Sequence, residues 1–258
     1  HEARQAINRL KREFPQSFLV ATGCAVETQK KLGINLQTAD LFIGNPDKEK
    51  IPQTIASYFP LLPEKEKTFQ NKKTPVREWI KIQDGCRQYC SFCIVPFLRS
   101  QLQSKPPKKI IKEISRLVGR GVQEVVLCGI NLSAFGQDLK PGLNLNDLIN
   151  LILTKTKISR LSLSSLTPNL ITPALAKTYL KDYRREKRLS TYFHLALQTG
   201  SPRLQQLMNR PKTDLNKTKK LLQYIKQEIP EFNLRADILV GFPGETEEDF
   251  RQTLQYIE

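Results

Sequence analysis

Asp84-Gly85-Cys86-Arg87-Gln88-Tyr89-Cys90-Ser91-Phe92-Cys93-Ile94-Val95-Pro96 is the stretch on which the reading of this chain turns. Three of the five cysteines fall here, spaced C-x-x-x-C-x-x-C. The residues before it, Trp79-Ile80-Lys81-Ile82-Gln83, predict a β-strand. The cysteines then lie on a loop leaving a strand's C-terminal end, where α/β folds place their chemistry. Such tight spacing lets three thiolates converge on one small object. Iron–sulfur clusters usually take four cysteines, so three without an obvious fourth point to a cluster with one iron open to a ligand. Zinc is the alternative, but zinc sites usually pair two C-x-x-C units or finish with histidines. The only histidines are His1 and His194, both remote in sequence. An odd cysteine count, with three thiols crowded between residues 86 and 93, argues against disulfides.

The 258 residues suffice for a real core and for more than one domain. No apolar run is long enough to cross a membrane. No signal peptide opens the sequence, and the cysteine usage fits a reducing, cytoplasmic setting. Net charge is +16, from 41 basic and 25 acidic residues. Basic runs at Lys105 to Lys109, Lys181 to Arg188 and Lys212 to Lys220 point to a polyanionic partner, since Lys and Arg contacts to phosphate release counterions. A solvated basic surface that maintains solubility is the alternative.

Apolar positions at helical spacing (Ala6, Ile7, Leu10, Phe14) predict a helix over residues 1–14, ended by Pro15. A strand over 17–22, a helix over 26–32 and a strand over 40–44 make a parallel β-α-β pattern. Residues 60–76 are rich in proline and lysine and read as a linker. The organisation expected is therefore 1–59, a linker at 60–76, and a second domain over 77–258. In that domain strands near 79–83, 124–128, 160–163, 192–197 and 234–240 alternate with helices near 108–118, 145–153, 171–180, 215–229 and 245–258. Crossovers of this length suit parallel pairing, the pattern of a (β/α) barrel.

The cysteine spacing, with aromatic Phe92 before the last cysteine, matches the radical S-adenosylmethionine (SAM) superfamily. Longer runs resemble its methylthiotransferases: Lys81 to Cys86, Tyr89 to Pro96, Leu197-Gln198-Thr199-Gly200-Ser201, and Val240-Gly241-Phe242-Pro243-Gly244-Glu245-Thr246-Glu247-Glu248-Asp249-Phe250. The resemblance implies an α/β fold: a partial (β/α) radical SAM barrel preceded by part of a flavodoxin-like α/β domain. It implies that Cys86, Cys90 and Cys93 bind three irons of a 4Fe–4S cluster, and that the fourth iron takes the amino and carboxylate groups of SAM. Gly129 and Asn131 match the run whose backbone holds the methionine amino group. Val240 and Gly241 lie where the family contacts adenine, with Phe92 near that ring. Ser164 and Gln198 are candidates for ribose and carboxylate contacts, and Arg99 for an anion or the substrate. Each has a plainer reading: Gly129 ends a strand, Ser164 and Ser165 cap the next helix, and Gln198 satisfies backbone groups. Likewise Cys128 fills an apolar space, His194 is a core histidine, and Asp237 faces inward onto a polar partner.

Cys24 matches the third ligand of the second 4Fe–4S cluster in the family's N-terminal domain. Its first two ligands are expected before residue 1. By the same comparison the chain stops one barrel unit early and lacks the RNA-binding β-barrel, so it reads as a fragment. The segment Leu127 to Leu139 resembles the branch acting on threonylcarbamoyladenosine beside the tRNA anticodon. The isopentenyladenosine branch is second and a ribosomal-protein branch third. The activity implied is insertion of sulfur and a methyl group at adenine C2, with the tRNA anticodon loop and a reducing electron donor as partners and no membrane. A zinc-containing nucleic-acid module is the other class. Leu98-Arg99-Ser100 and Asn209-Arg210-Pro211 depart from the family pattern and are expected not to touch the cluster ligands.

Overall fold

The computed structural model describes residues 2–33, 38–59, 75–140 and 142–258. The chain divides into two compact units, His1–Lys72 and Lys73–Glu258. Residues 60–74 of the expected linker lie outside the described residues.

The first unit runs α1 (Glu2–Glu13), β1 (Val20–Thr22), α2 (Cys24–Leu32), β2 (Leu41–Ile43), a 3-10 turn (Asn45–Lys50) and α3 (Ile51–Tyr58). The two strands pair in parallel, Val20 opposite Leu41 and Thr22 opposite Ile43. The strand expected over 17–22 is shorter because Asp40 intercepts it. The Asp40 carboxylate accepts the Leu19 N–H at 2.7 Å and the Lys11 ammonium at 2.7 Å. Ile7, Ala21 and Val26 form a small core. The 3-10 turn and α3 were not expected from periodicity.

The second unit is organised by strands with two unlike faces. In β3 (Arg77–Asp84) Ile80 and Ile82 are buried while Trp79 is exposed, the period-two signature of a sheet covered on one side. The chain continues through α4 (Val95–Leu98), β4 (Gln103–Ser104), α5 (Pro107–Gly119), β5 (Glu124–Gly129) and α6 (Leu145–Lys155). It closes with β6 (Arg160–Leu163), α7 (Pro173–Tyr183), β7 (Tyr192–Gln198), α8 (Pro202–Leu207), α9 (Leu215–Glu228), β8 (Asn233–Ile238) and α10 (Glu247–Ile257). Strands β3, β5 and β6 pair in parallel, as do β7 and β8. Parallel bridges Leu161 to Leu189 and Leu166 to Leu195 join β6 to β7. Neighbours in the curved sheet are thus neighbours in sequence, the topology of a partial (β/α) barrel. The exception is β4, a two-residue antiparallel edge on β3, too short to carry a periodic signal.

One sheet face packs on the helices. Ile80, Ile82, Val125, Leu127, Leu161 and Phe193 join Ile114, Ile149, Tyr179 and Ile225 in a continuous core. Each such side chain contributes roughly 1.5–3 kcal/mol on burial, against about 0–1 for an exposed ion pair. The apolar row, not the surface charge, therefore holds the barrel. The opposite face carries Lys81, Gln83, Ser162, His194 and Asp237. No helix among the described residues is long and apolar enough to cross a membrane.

Candidate functional site

The C-terminal tip of β3 opens into the cysteine loop. Cys86 and Cys90 are buried and Cys93 is half-buried, all as free thiols. The loop is pinned at its base. The Cys86 N–H donates to the Arg99 carbonyl at 2.9 Å, and the Cys93 N–H to the Cys90 carbonyl at 2.9 Å. Arg99 also grips Asp84, at 2.9 and 3.1 Å. Burial opposes ionisation of Asp84, but Lys81, Arg99 and the Gly85 N–H together hold its carboxyl below the usual range. Arg99 is thus engaged inside the loop by both its carbonyl and its guanidinium. The run Leu98-Arg99-Ser100 likewise touches a cysteine through the Arg99 carbonyl, contrary to expectation.

The second departing run is closer still. Burial pushes the Cys90 thiol up, and Arg210 opposes this with its charge and a hydrogen bond; Cys93 and Cys86 add to the rise. Cys90 therefore sits within electrostatic reach of both other thiols, with one guanidinium beside it. Arg210 is anchored by a hydrogen bond to the Ala196 carbonyl. Its Nε is buried without a partner among the described residues. Around it the Ser91 N–H donates to Met208 O at 3.0 Å and Asn209 Nδ2 to Tyr89 O at 2.9 Å. These bonds join residues some 120 positions apart, which is why sequence reasoning set this run aside.

The donor set fits a thiolate-bound cluster. The Cys86 sulfur accepts the Gln88 N–H at 3.4 Å and Asn131 Nδ2 at 3.6 Å. The orphaned Arg210 Nε is one more donor awaiting an acceptor. No three His, Cys, Asp or Glu side chains among the described residues come together closely enough for a single metal ion.

Asn131 is brought to the loop by a residue that sequence reasoning left without a role. Buried Gln83 accepts the Asn131 N–H at 2.8 Å and donates to Asp84 O and Gly85 O at 2.8 and 2.7 Å. Its signal was a lone amide closing an apolar strand. Gly129 ends β5 opposite Gln83. Phe92 is 40% exposed, and on the same loop the Tyr89 and Phe97 rings meet edge to face, 5.6 Å between centroids. Ser164 sits at the tip of β6 and donates its N–H to Leu127 O at 2.9 Å. It caps no helix: Thr167 and Thr172 occupy the cap positions downstream. His194 is paired to Asp237 at 2.7 Å on the face away from the helices, so each is the other's polar partner. Cys128 is a half-buried free thiol raised by burial. Val240 and Gly241 lie past β8, which stops two residues short of its expected end. There they line a shallow hollow of about 350 Å³ with Phe242, Glu245 and Phe250. Cys24, in the other unit, opens α2 and accepts Asn45 Nδ2 at 3.7 Å.

Gln198 holds a left-handed backbone, φ 69°, as do Tyr89 at 51° and Asn209 at 50°. Non-glycine residues held there are strained, and such strain collects at functional sites. Two separate runs meet at the turn that follows Gln198. Gly200 N donates to Thr253 Oγ1 at 3.1 Å, and a Cβ at Gly200 would stand 2.6 Å from Tyr256 Cβ, so only glycine lets α10 approach. Ser201 Oγ donates to Asp249 at 2.6 Å, while Arg203 Nη2 and Thr246 Oγ1 each reach the other carboxylate oxygen at 2.6 Å.

These partners, Arg203 first, then Ser201 and Thr246, pull the Asp249 carboxyl far below the usual range. A depressed carboxylate contributes stability above its unfolded value, near pH 4, and loses it as pH falls through the folded value. Asp249→Asn is therefore expected to lower the urea midpoint fully at pH 7 and pH 5. Its gap to wild type should narrow steadily below about pH 4, as denaturation followed by circular dichroism will show.

Residues 80–257 match the family model described as the Radical SAM superfamily. Threonylcarbamoyladenosine tRNA methylthiotransferase MtaB of Aquifex aeolicus is 32% identical over 99% of this chain and 64% of its own length. tRNA-2-methylthio-N(6)-dimethylallyladenosine synthase of Moorella thermoacetica is 31% identical over 97% of this chain and 59% of its own length. The chain thus spans about three fifths of the curated relatives it matches. Among solved structures, the cobalamin-dependent S-adenosylmethionine radical enzyme OxsB superposes with a TM-score of 0.65 at 9% identity, over 98% of this chain and 41% of that one. That likeness concerns the fold.

Proposed function

The chain belongs to the radical SAM superfamily, and on that premise we propose that it is part of a tRNA methylthiotransferase acting on threonylcarbamoyladenosine beside the anticodon. The observation that carries the reading is the trio Cys86, Cys90 and Cys93 at a strand tip of a parallel barrel, with N–H donors aimed at the Cys86 sulfur. The cofactors are a 4Fe–4S cluster and SAM. When bound, the cluster supplies the electron that reductively cleaves SAM; the protein's part is to place the partners and exclude water.

Each residue has a defined task in that reading. The three thiolates hold three irons. Asn131 and Gln88 stabilise the charge on Cys86, and Arg210 that on Cys90. Gln83 ties the Asn131 turn to the loop, so the β3 and β5 tips move as one body. Gly129, Asn131, Ser164 and Gln198 line the strand tips as SAM contacts, with Phe92, Val240 and Gly241 toward its adenine. Cys24 is one ligand of a second cluster. Net charge of +16 suits an RNA substrate better than a protein one. A base in a single-stranded loop can be splayed out to reach such a pocket. The threonylcarbamoyl branch is favoured over the dimethylallyl branch by the Leu127 to Leu139 run.

The test has two stages. The reconstituted chain, given SAM and dithionite, should release 5′-deoxyadenosine. The gene, expressed in cells lacking their own methylthiotransferases, should restore the methylthio derivative of threonylcarbamoyladenosine in tRNA, read by nucleoside mass spectrometry. A reconstituted chain that binds no iron overturns the reading. Restoration of only the isopentenyladenosine product moves it to the other branch.

A further inference from the structure

Helices α7 and α9 pack on each other, and each adjoins a basic run of the sequence. The run Lys181 to Arg188 continues from α7, and Lys212 to Lys220 leads into α9. Between these helices lies a groove of about 420 Å³, lined by Lys177, Lys181, Arg184, Arg185, Leu221 and Tyr224 among others. No acidic side chain lines it. Arg184 is ion-paired to Glu228. Lys177, Lys181 and Arg185 form no ion pair among the described residues. Lys177 and Lys181 are one helical turn apart, so their charges repel along one face of α7. On α9, Lys217 and Lys220 precede Leu221 and Tyr224 by one turn, adding charge to the same side. Tyr224 is 44% exposed, an aromatic ring on the wall of a cationic groove.

Three cations that form no ion pair among the described residues, beside one open aromatic face, supply the two parts of a single-strand nucleic-acid site: charge that tracks the backbone and a platform for a base. The groove lies on the helices of the barrel's outer layer, apart from the strand tips that carry the cysteines. We propose that the α7–α9 groove is a second RNA-binding surface, in which Lys177, Lys181 and Arg185 hold backbone phosphates of the substrate RNA and Tyr224 stacks one unpaired base. The inference rests on the RNA-substrate reading above and adds to it a docking surface outside the reaction site.

The test compares the reconstituted wild type with Lys177→Ala/Lys181→Ala/Arg185→Ala and with Tyr224→Ala. Binding of a labelled tRNA transcript is followed by anisotropy between 50 and 200 mM salt, with release of 5′-deoxyadenosine from SAM as a control. The triple variant is expected to bind at least about tenfold more weakly at 50 mM salt. Its slope of log K against log salt should be shallower by about two, near 0.7 for each phosphate no longer neutralised. Tyr224→Ala should lose about five- to 150-fold with the slope unchanged. Both variants should cleave SAM as the wild type does. Variants that bind with wild-type affinity and slope overturn the groove while leaving the RNA reading intact. A wild type that cleaves SAM but binds no tRNA overturns both, and binding of acidic peptide or anionic vesicles in its place assigns the groove to another partner.

Discussion

Cys90→Ala, reconstituted anaerobically with iron and sulfide, is expected to stay colourless and to hold well under one iron per chain, where the wild type turns brown and holds about four. Cys90 is the sharpest choice of the three. It is the buried middle thiol, within electrostatic reach of both other cysteines and of Arg210. Removing it leaves two sulfurs, too few to hold the cluster, and takes away the thiol beside Arg210. The fold should survive, because the core cluster of the barrel does not include Cys90; a destabilisation of about 1–2 kcal/mol is typical for such a truncation. Cys128→Ala and Cys24→Ala are the controls. Cys128 lies on β5, outside the C-x-x-x-C-x-x-C run, and Cys24 in the other unit, so both variants should colour normally through the cysteine trio. Metal analysis separates the remaining class: one zinc per chain and no iron in the wild type supports the zinc reading. Iron in Cys90→Ala equal to wild type removes Cys90 from the ligand set.

Much of the barrel was legible because its strands bury one face and its helices one stripe. Ile80 and Ile82 alternate with Trp79 and Lys81. Ile110, Ile114 and Leu117 recur at helical spacing, and all three are buried. The ends of β5 and β7 were legible too, since Gly129 and Gly200 punctuate them. What the sequence could not reveal is the meeting of distant segments. Arg210 reaches Cys90, and Asp249 reaches Ser201 and Arg203, across more than 40 positions with no periodic signal to connect them. The antiparallel β4 escaped for a different reason: two residues are too few for alternation to register. β8 was drawn too long because Leu239 and Val240 are good strand formers by composition. The chain turns there instead: the Leu239 N–H goes to Gln198 O at 2.8 Å, and the Gly241 and Phe242 N–H groups go to the Glu245 carboxylate. Local propensity gave way to a capping carboxylate placed by the following helix.

Gly85→Ala is expected to unfold more readily by about 3–5 kcal/mol and to take up iron poorly, although it touches no ligand atom. Gly85 has φ 80°, a left-handed conformation that costs an alanine roughly 1–2 kcal/mol. Space is the larger obstacle. A Cβ there would stand 1.9 Å from the Gln101 carbonyl oxygen and 3.0 Å from the Arg99 oxygen. Both are backbone atoms, so no rotamer change relieves the clash. The segment carrying Gln101 must move away, and with it the Arg99 carbonyl that receives the Cys86 N–H. The same shift breaks the Arg99–Asp84 ion pair and the Gln83 hydrogen bond to Gly85 O at 2.7 Å. The loop then opens at its base, and the three thiols no longer share one orientation. Urea denaturation should report the fall in stability. Iron content after reconstitution should fall several-fold even at temperatures where circular dichroism shows the chain still folded. The two readouts divide the possible causes. Reduced stability with full iron uptake means that the loop can close another way. Absent iron in a folded chain ties the conformation of one glycine to the assembly of the cluster.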